Sequence, residues 1–318
     1  MTEGSYPAER TEAALRLFLR WFGAHYARST VVQSRDLTDA RLNGVAEIGR
    51  RWHLAFTIVD TLAADADLPF ETARSIVEQR LDAEGRSIAL WVPRGASLPD
   101  AEPGLSQLVL SLNSAEKLDD GRLELRRPVN LHLRRTSAVG SVVSILGGLA
   151  SQWALFTNRV PGSFQLNADS LNRLPSSPVE RDALVERIVL AAQQTEADAD
   201  QVVSADDVWT ANELEEGGSC VFGTPAPETD DWSSGLRRNL RNALREAGSF
   251  LAAPVDGSAL VVLGAATYAE EEKLSWTLKG MDPRLYSGYD LVLVVADGLV
   301  KPLLLPPRQA LPWDAPVS

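Results

Sequence analysis

Two apolar runs, ALVVLGAA at 259–266 and YDLVLVVADGLVKPLLLP at 289–306, constrain the fold more than anything else in this chain. An uninterrupted Val/Leu run four to eight residues long, bounded by turn residues, is the pattern of a strand buried on both faces. Both faces of such a strand are covered when helices lie on either side of the sheet, so these runs point to an α/β layer with a parallel strand pair. Asp297-Gly298 divides the longer run into two strands meeting at a tight turn. LRRNLRNALREAGSFL (236–251) and AEEEKLSWTLKGM (269–281) read as the accompanying helices, and 307–318 as an irregular tail. Residues 236–318 therefore form a C-terminal α/β unit.

The N-terminal region, 1–86, reads as helical. Leu15, Phe18, Leu19 and Phe22 make one apolar stripe over 8–27. Leu37, Val45, Ile48, Trp52, Ala55, Val59 and Leu62 continue a helical spacing, as one long helix or as two broken near Gly44 or Gly49. PFETARSIVEQRLDAEG makes a third helix, opened by Pro69 and closed by Gly85, and RSIALWVP (86–93) turns to strand character. Helix, turn, helix and strand over 54–93 are compatible with a winged-helix DNA reader, in which Arg74, Gln79 and Arg80 reach bases or phosphates. The alternative is ordinary packing at the entrance to an α/β sheet.

The central region, 87–194, reads as a mixed sheet with helices. After a helix or strand at 104–118 comes GRLELRRPVNLHLRR (121–135), which holds five arginines. Its leucines and Val129 occupy odd positions and its polar residues mostly even ones, the alternation of a half-buried strand or of two strands meeting near Pro128. Arg122, Arg126, His132 and Arg134 then share one open face suited to phosphate, since the guanidinium fork matches its oxygens. WALFTNRV and SFQLNADSL read as a hairpin about Pro161-Gly162, and Ser177 with Glu180 as a capping box opening a helix at 178–194.

Charge divides unevenly. The chain carries a net charge of −12, and residues 195–235 hold eleven acids and no base. The remainder is close to neutral, so overall acidity does not exclude an anionic partner. The strip reads as a solvated linker, as a docking segment that covers a basic surface of this protein or recruits a basic partner, or as a set of carboxylates that binds a metal. The arginine face has the same two readings: an external phosphate, or the acids of 195–235.

Chemical motifs are sparse. His25, His53 and His132 have no metal-ligand spacing, the lone Cys220 excludes a disulfide framework, and neither GxGxxG nor a Walker loop occurs. Cys220 in GGSCVFG is either a nucleophile on a glycine turn or a small core residue. Asp100 followed by Glu124-Leu125-Arg126 echoes the acid and acid-x-Lys pattern of restriction-endonuclease-like nucleases, with arginine where lysine holds water. That echo is the only route to a cofactor, Mg²⁺. No signal peptide or membrane span is legible, which points to a cytoplasmic protein. The leading expectation is a non-catalytic or weakly catalytic DNA-associated accessory protein. An assembly subunit that binds protein partners through the strip and the arginine face is the alternative, and a metal-dependent nuclease the third.

Overall fold

The structure, a computed structural model, describes residues 6–38, 41–60, 68–93, 95–136, 143–147, 149, 154–156, 159–160, 162–175, 177–196, 198–223, 238, 240–242, 244–245, 247, 255–263 and 281–314. In chain order the elements begin with α1 (Tyr6–Tyr26), β1 (Thr30–Thr38), β2 (Arg41–Ile48), β3 (Trp52–Asp60), α2 (Leu68–Ala83) and β4 (Ile88–Trp91). Then come α3 (Gly104–Asn113), β5 (Glu116–Lys117), β6 (Leu123–Thr136), β7 (Val143–Gly147), β8 (Ser163–Ala168) and α4 (Pro178–Gln194). The chain closes with β9 (Asp200–Glu213), β10 (Cys220–Phe222), β11 (Gly257–Leu263), β12 (Leu291–Ala296) and β13 (Leu299–Leu304). The fold is mixed α/β with parallel strand pairs and a helix at the N-terminus. Two compact units are present, Met1–Val92 with Ala211–Ser318, and Pro93–Thr210.

The first unit is built on a six-stranded sheet in the order β1-β2-β3-β11-β12-β13. β11 runs parallel to both β3 and β12, as its unbroken apolar run requires. One face meets α1, where Phe18 and Phe22 pack with Phe56, Val261, Leu293 and Trp313. The other face buries Leu260, Val262, Val292 and Val294 with Leu240 and Leu244, and the described residues between 238 and 247 are helical. β12 and β13 join through Asp297 and Gly298, both at positive φ (52° and 76°), with Ala296 paired to Leu299. That is the two-residue hairpin turn which the Asp-Gly pair favours. Residues 269–280 of the expected helix at 269–281 lie outside the described residues, and Met281 is not helical.

The helical expectation over 37–62 is corrected: β1, β2 and β3 form an antiparallel meander there. β3 is an interior strand, buried continuously from Leu54 to Asp60. A strand covered on both faces loses its two-residue alternation, so its apolar residues also satisfy a helical spacing. Gly44 is the backbone signal that spacing overlooks. A Cβ there would lie 2.4 Å from the Phe56 ring and 2.5 Å from the Ser34 carbonyl, so β1, β2 and β3 close only over glycine. Gly44→Ala is expected to lower the unfolding free energy by ~1–3 kcal/mol, read as a lower midpoint in urea.

The winged-helix reading of 54–93 falls with the same correction, because its first helix is β3. β4 is a strand as expected, yet it pairs parallel with β10 and not with a neighbouring wing strand. The acidic stretch is likewise no simple linker: its described part contains β9 and β10, while 224–235 lies outside the described residues.

In the second unit β6 is one continuous strand through Pro128. β8 lies antiparallel to it, with His132 beside Asn167 and Arg134 beside Gln165, and β7 runs parallel to β8. β9 flanks β6 on its other side and β5 pairs with the start of β6. α4 covers one face, burying Leu184 and Ile188 among Leu131, Leu133, Phe164, Leu166, Val203 and Ala205. Residues 154–155 form a helical turn, so WALFTNRV is not the first arm of a hairpin; β8's partners are β6 and β7. Ser177 does stand at the start of α4, but its hydroxyl makes no capping bond. Glu180, the other half of the expected capping box, pairs with Arg126.

Candidate functional site

The arginines of 121–135 are met by acids, carbonyls and an aromatic ring of their own chain. Arg126 donates from one nitrogen to Glu124 (2.9 Å) and to Glu180 on α4 (3.0 Å), and the Glu180 bond raises its pKa further. Arg122 is clasped by Asp120 at 2.8 and 3.0 Å, a contact that holds the Asp120 carboxyl below its ordinary range. Arg127 lies 3.9 Å over the Trp209 ring; burial lowers its pKa while Asp207 pulls it back. Arg135 donates to the Thr195 carbonyl at 3.0 Å. Arg134 stands 3.8 Å from Asp200, both side chains mostly exposed at 59% and 76%.

Several of these partners come from 195–210, the part of the acidic strip that docks on β6. Asp207 organises that docking. It accepts from the backbone N–H groups of Asn172 and Arg173 (2.7 and 2.8 Å) and from the Trp209 indole N–H (2.8 Å). A buried carboxylate with this many donors is satisfied without external charge.

The other residues expected at a site are dispersed. Arg74 is buried in α2, bonded to Glu71 at 2.9 Å and to Glu78, so it does not reach a groove of DNA. Arg80 pairs with Glu84 one turn on, at 3.1 Å. Asp100 is exposed in the loop before α3, whereas Glu124 is buried against Arg126. Cys220 sits fully buried in β10, and burial, reinforced by the Glu78 carboxyl, pushes its thiol well up and away from the thiolate a nucleophile needs. Among the described residues no group of three His, Cys, Asp or Glu side chains is gathered as a metal site requires. No helix among them is long and apolar enough to cross a membrane.

What remains open is the outer face and one edge of the second unit's sheet. Since Leu131, Leu133, Phe164, Leu166, Val203 and Ala205 face α4, the alternate residues face outward: His132 and Arg134, Gln165 and Asn167, Asp200, Val202 and Ser204. Beside the edge of β9 lies a groove of about 470 Å³, lined by Arg187, Leu190 and Gln194 of α4 and by Gln201–Asp206. Leu190 and Val202 are 54% and 55% exposed at its walls.

No family model, no curated protein and no solved structure matches this chain. The site therefore has to be read from its own geometry. Sequence reasoning passed over Leu190, and took Val202 only as one of several apolar residues of the acidic strip fit to dock, because each adjoins a residue that is buried. Leu190 lies off the stripe formed by Leu184, Val185, Ile188 and Val189, and Val202 lies on the outward phase of a strand whose Val203 points in. Both become visible once the helix and the strand are given their faces.

Proposed function

We propose that this chain is an assembly subunit whose second unit holds a protein partner. One observation carries the reading: Arg122, Arg126, Arg127 and Arg135 of the stripe already have partners within the chain, while two exposed apolar side chains flank a groove beside a strand edge. Exposed aliphatic groups rimmed by polar residues favour a protein over a polyanion. A second reading, the DNA-associated accessory protein, is favoured by His132, Arg134, Gln165 and Asn167 on the open face. Those side chains can contact phosphate, but the residues named on this face include no Phe, Tyr or Trp as a platform for a base, and His132 is their one ring. The nuclease reading draws no support from the separate placements of Asp100 and Glu124.

Titration of labelled duplex and single-stranded DNA at two salt concentrations discriminates the two. The expected result is binding no tighter than the ~10⁻⁴–10⁻⁶ M of non-specific contacts at physiological salt, with Arg134→Ala changing it less than about tenfold. Tight binding that weakens steeply with salt and is lost in Arg134→Ala transfers the assignment to DNA.

A further inference from the structure

Resting on that assembly reading, we infer that the groove beside β9 takes an extended peptide by strand addition, and that the peptide is basic at its ends and apolar between. The sheet order gives β9 two neighbours, β6 along one side and β4 on the other. β4 has only four residues, and the Leu214 N–H donating to the Ser87 carbonyl at 2.8 Å places it at the far end of the fourteen-residue β9. Among the described residues no strand covers the other edge of β9 over Asp200–Asp206. One carbonyl on this stretch shows where it is directed. The Ser204 oxygen accepts from the Arg187 guanidinium at 3.5 Å, a long contact to a side chain lining the groove. An edge whose carbonyl is met only by a long contact from an exposed cationic side chain is protected from indiscriminate pairing yet remains open to a strand that displaces it.

The side chains around this edge specify the occupant. Directly opposed residues on paired strands stand close enough to interact, and opposite charges or apolar pairs stabilise each register. Outward along β9 stand Asp200, Val202, Ser204 and Asp206, so a matching antiparallel strand presents basic residues at its two ends and an aliphatic residue against Val202. Its inward residues meet Leu190 and Ala191 on α4. Residues 195–207 carry five acids and no base, which favours a cationic peptide over an acidic one. A second copy of β9 matches poorly, because antiparallel pairing about Val203 sets Asp200 against Asp206.

The test uses the full chain and the capped peptide Lys-Val-Thr-Val-Val-Val-Lys, followed by fluorescence anisotropy. Three controls accompany it: lysines replaced by glutamates, the threonine that opposes Ser204 replaced by proline, and the chain variants Leu190→Glu and Val202→Glu, exposed positions whose folding is checked by circular dichroism. The expected result is binding at least tenfold tighter than either control peptide, and at least a tenfold loss in each variant. Equal binding of the proline peptide overturns strand addition, and equal binding of the glutamate peptide overturns the charge assignment. Absence of binding by the folded chain overturns the inference, and so does a sedimentation dimer that excludes the peptide, which gives the edge to a second copy. The DNA titration stays separate. Loss of peptide binding with no specific DNA binding ends this inference alone, whereas tight, salt-sensitive DNA binding ends the assembly reading with it.

Discussion

Arg10→Ala is expected to lower the unfolding free energy by ~3–5 kcal/mol, read as a large drop in the urea midpoint. The Arg10 Nε stands 2.7 Å from the Asp60 carboxylate, with side chains 1% and 0% exposed, where α1 meets the end of β3. Charges at such depth have lost their hydration, so deleting one takes from the other an opposite charge held in direct contact inside the protein. Native domains hold only about 5–15 kcal/mol in total, so the single variant removes a large part of the margin. Arg10→Met combined with Asp60→Leu removes both charges while keeping most of the volume. It is expected to be far less harmful than either single change, because no uncompensated charge remains. Equal losses in the single and double variants would show that α1 is held by shape alone.

The second large effect is on the pH dependence of stability. Burial pushes the Glu78 carboxyl from 4.5 up to about 7, against the opposing pull of Arg74 and of the Val221 N–H, which donates to it at 2.8 Å. The folded pKa therefore lies above the unfolded one. Between pH 4.5 and 7 the native state retains a proton that the unfolded chain has released, so this group makes stability fall as pH rises through that window. Below it the full contribution is present, and above it the loss is complete. One unit corresponds to 1.36 kcal/mol, so the change across the window is ~3 kcal/mol. Glu78→Gln keeps an oxygen for the Val221 N–H and cannot titrate. Subtracting its stability profile from the parent's, point by point in pH, should leave a slope confined to that window. A flat difference would mean that Arg74 keeps Glu78 ionised throughout.

How far the sequence could be read depended on what each strand faces. β11 and β12 were legible because strands buried on both faces carry an unmistakable Val/Leu run, and the half-exposed edge strand β13 because the Asp297-Gly298 turn before it has its own chemistry. β2 and β3 are also interior strands, but their mixture of Leu, Ala, Phe and Trp fits a helical spacing as well as a sheet. Only Gly44 and the Gly49-Arg50 corner, at φ 59° and 61°, hint at the meander. The alternation of β6 was correct from Pro128 to Arg134 and fails at its start, where Glu124 is buried beside Arg126. The site is harder still. Charge along the chain showed both the arginine stripe and the acidic strip, and an internal pairing between them was one of the two readings. Which arginine meets which acid, and which strand edge is left uncovered, depend on contacts between residues far apart in the chain that no local pattern encodes.

The parallel pairing of β3 with β11 also sets a timetable for synthesis. The His53 N–H bonds to Asp256, 203 residues further on, and β11 docks on β3 immediately after it. At 5–20 residues per second a ribosome takes on the order of 10–40 s to deliver that stretch. The second unit, contiguous at Pro93–Thr210, emerges whole within the interval. β1, β2 and β3 emerge first and wait, with the apolar edge of β3 bare to any other nascent strand. The N-terminal meander is thus open to mispairing until β11 arrives, and a chain cut short before Gly257 keeps that edge exposed for as long as it survives.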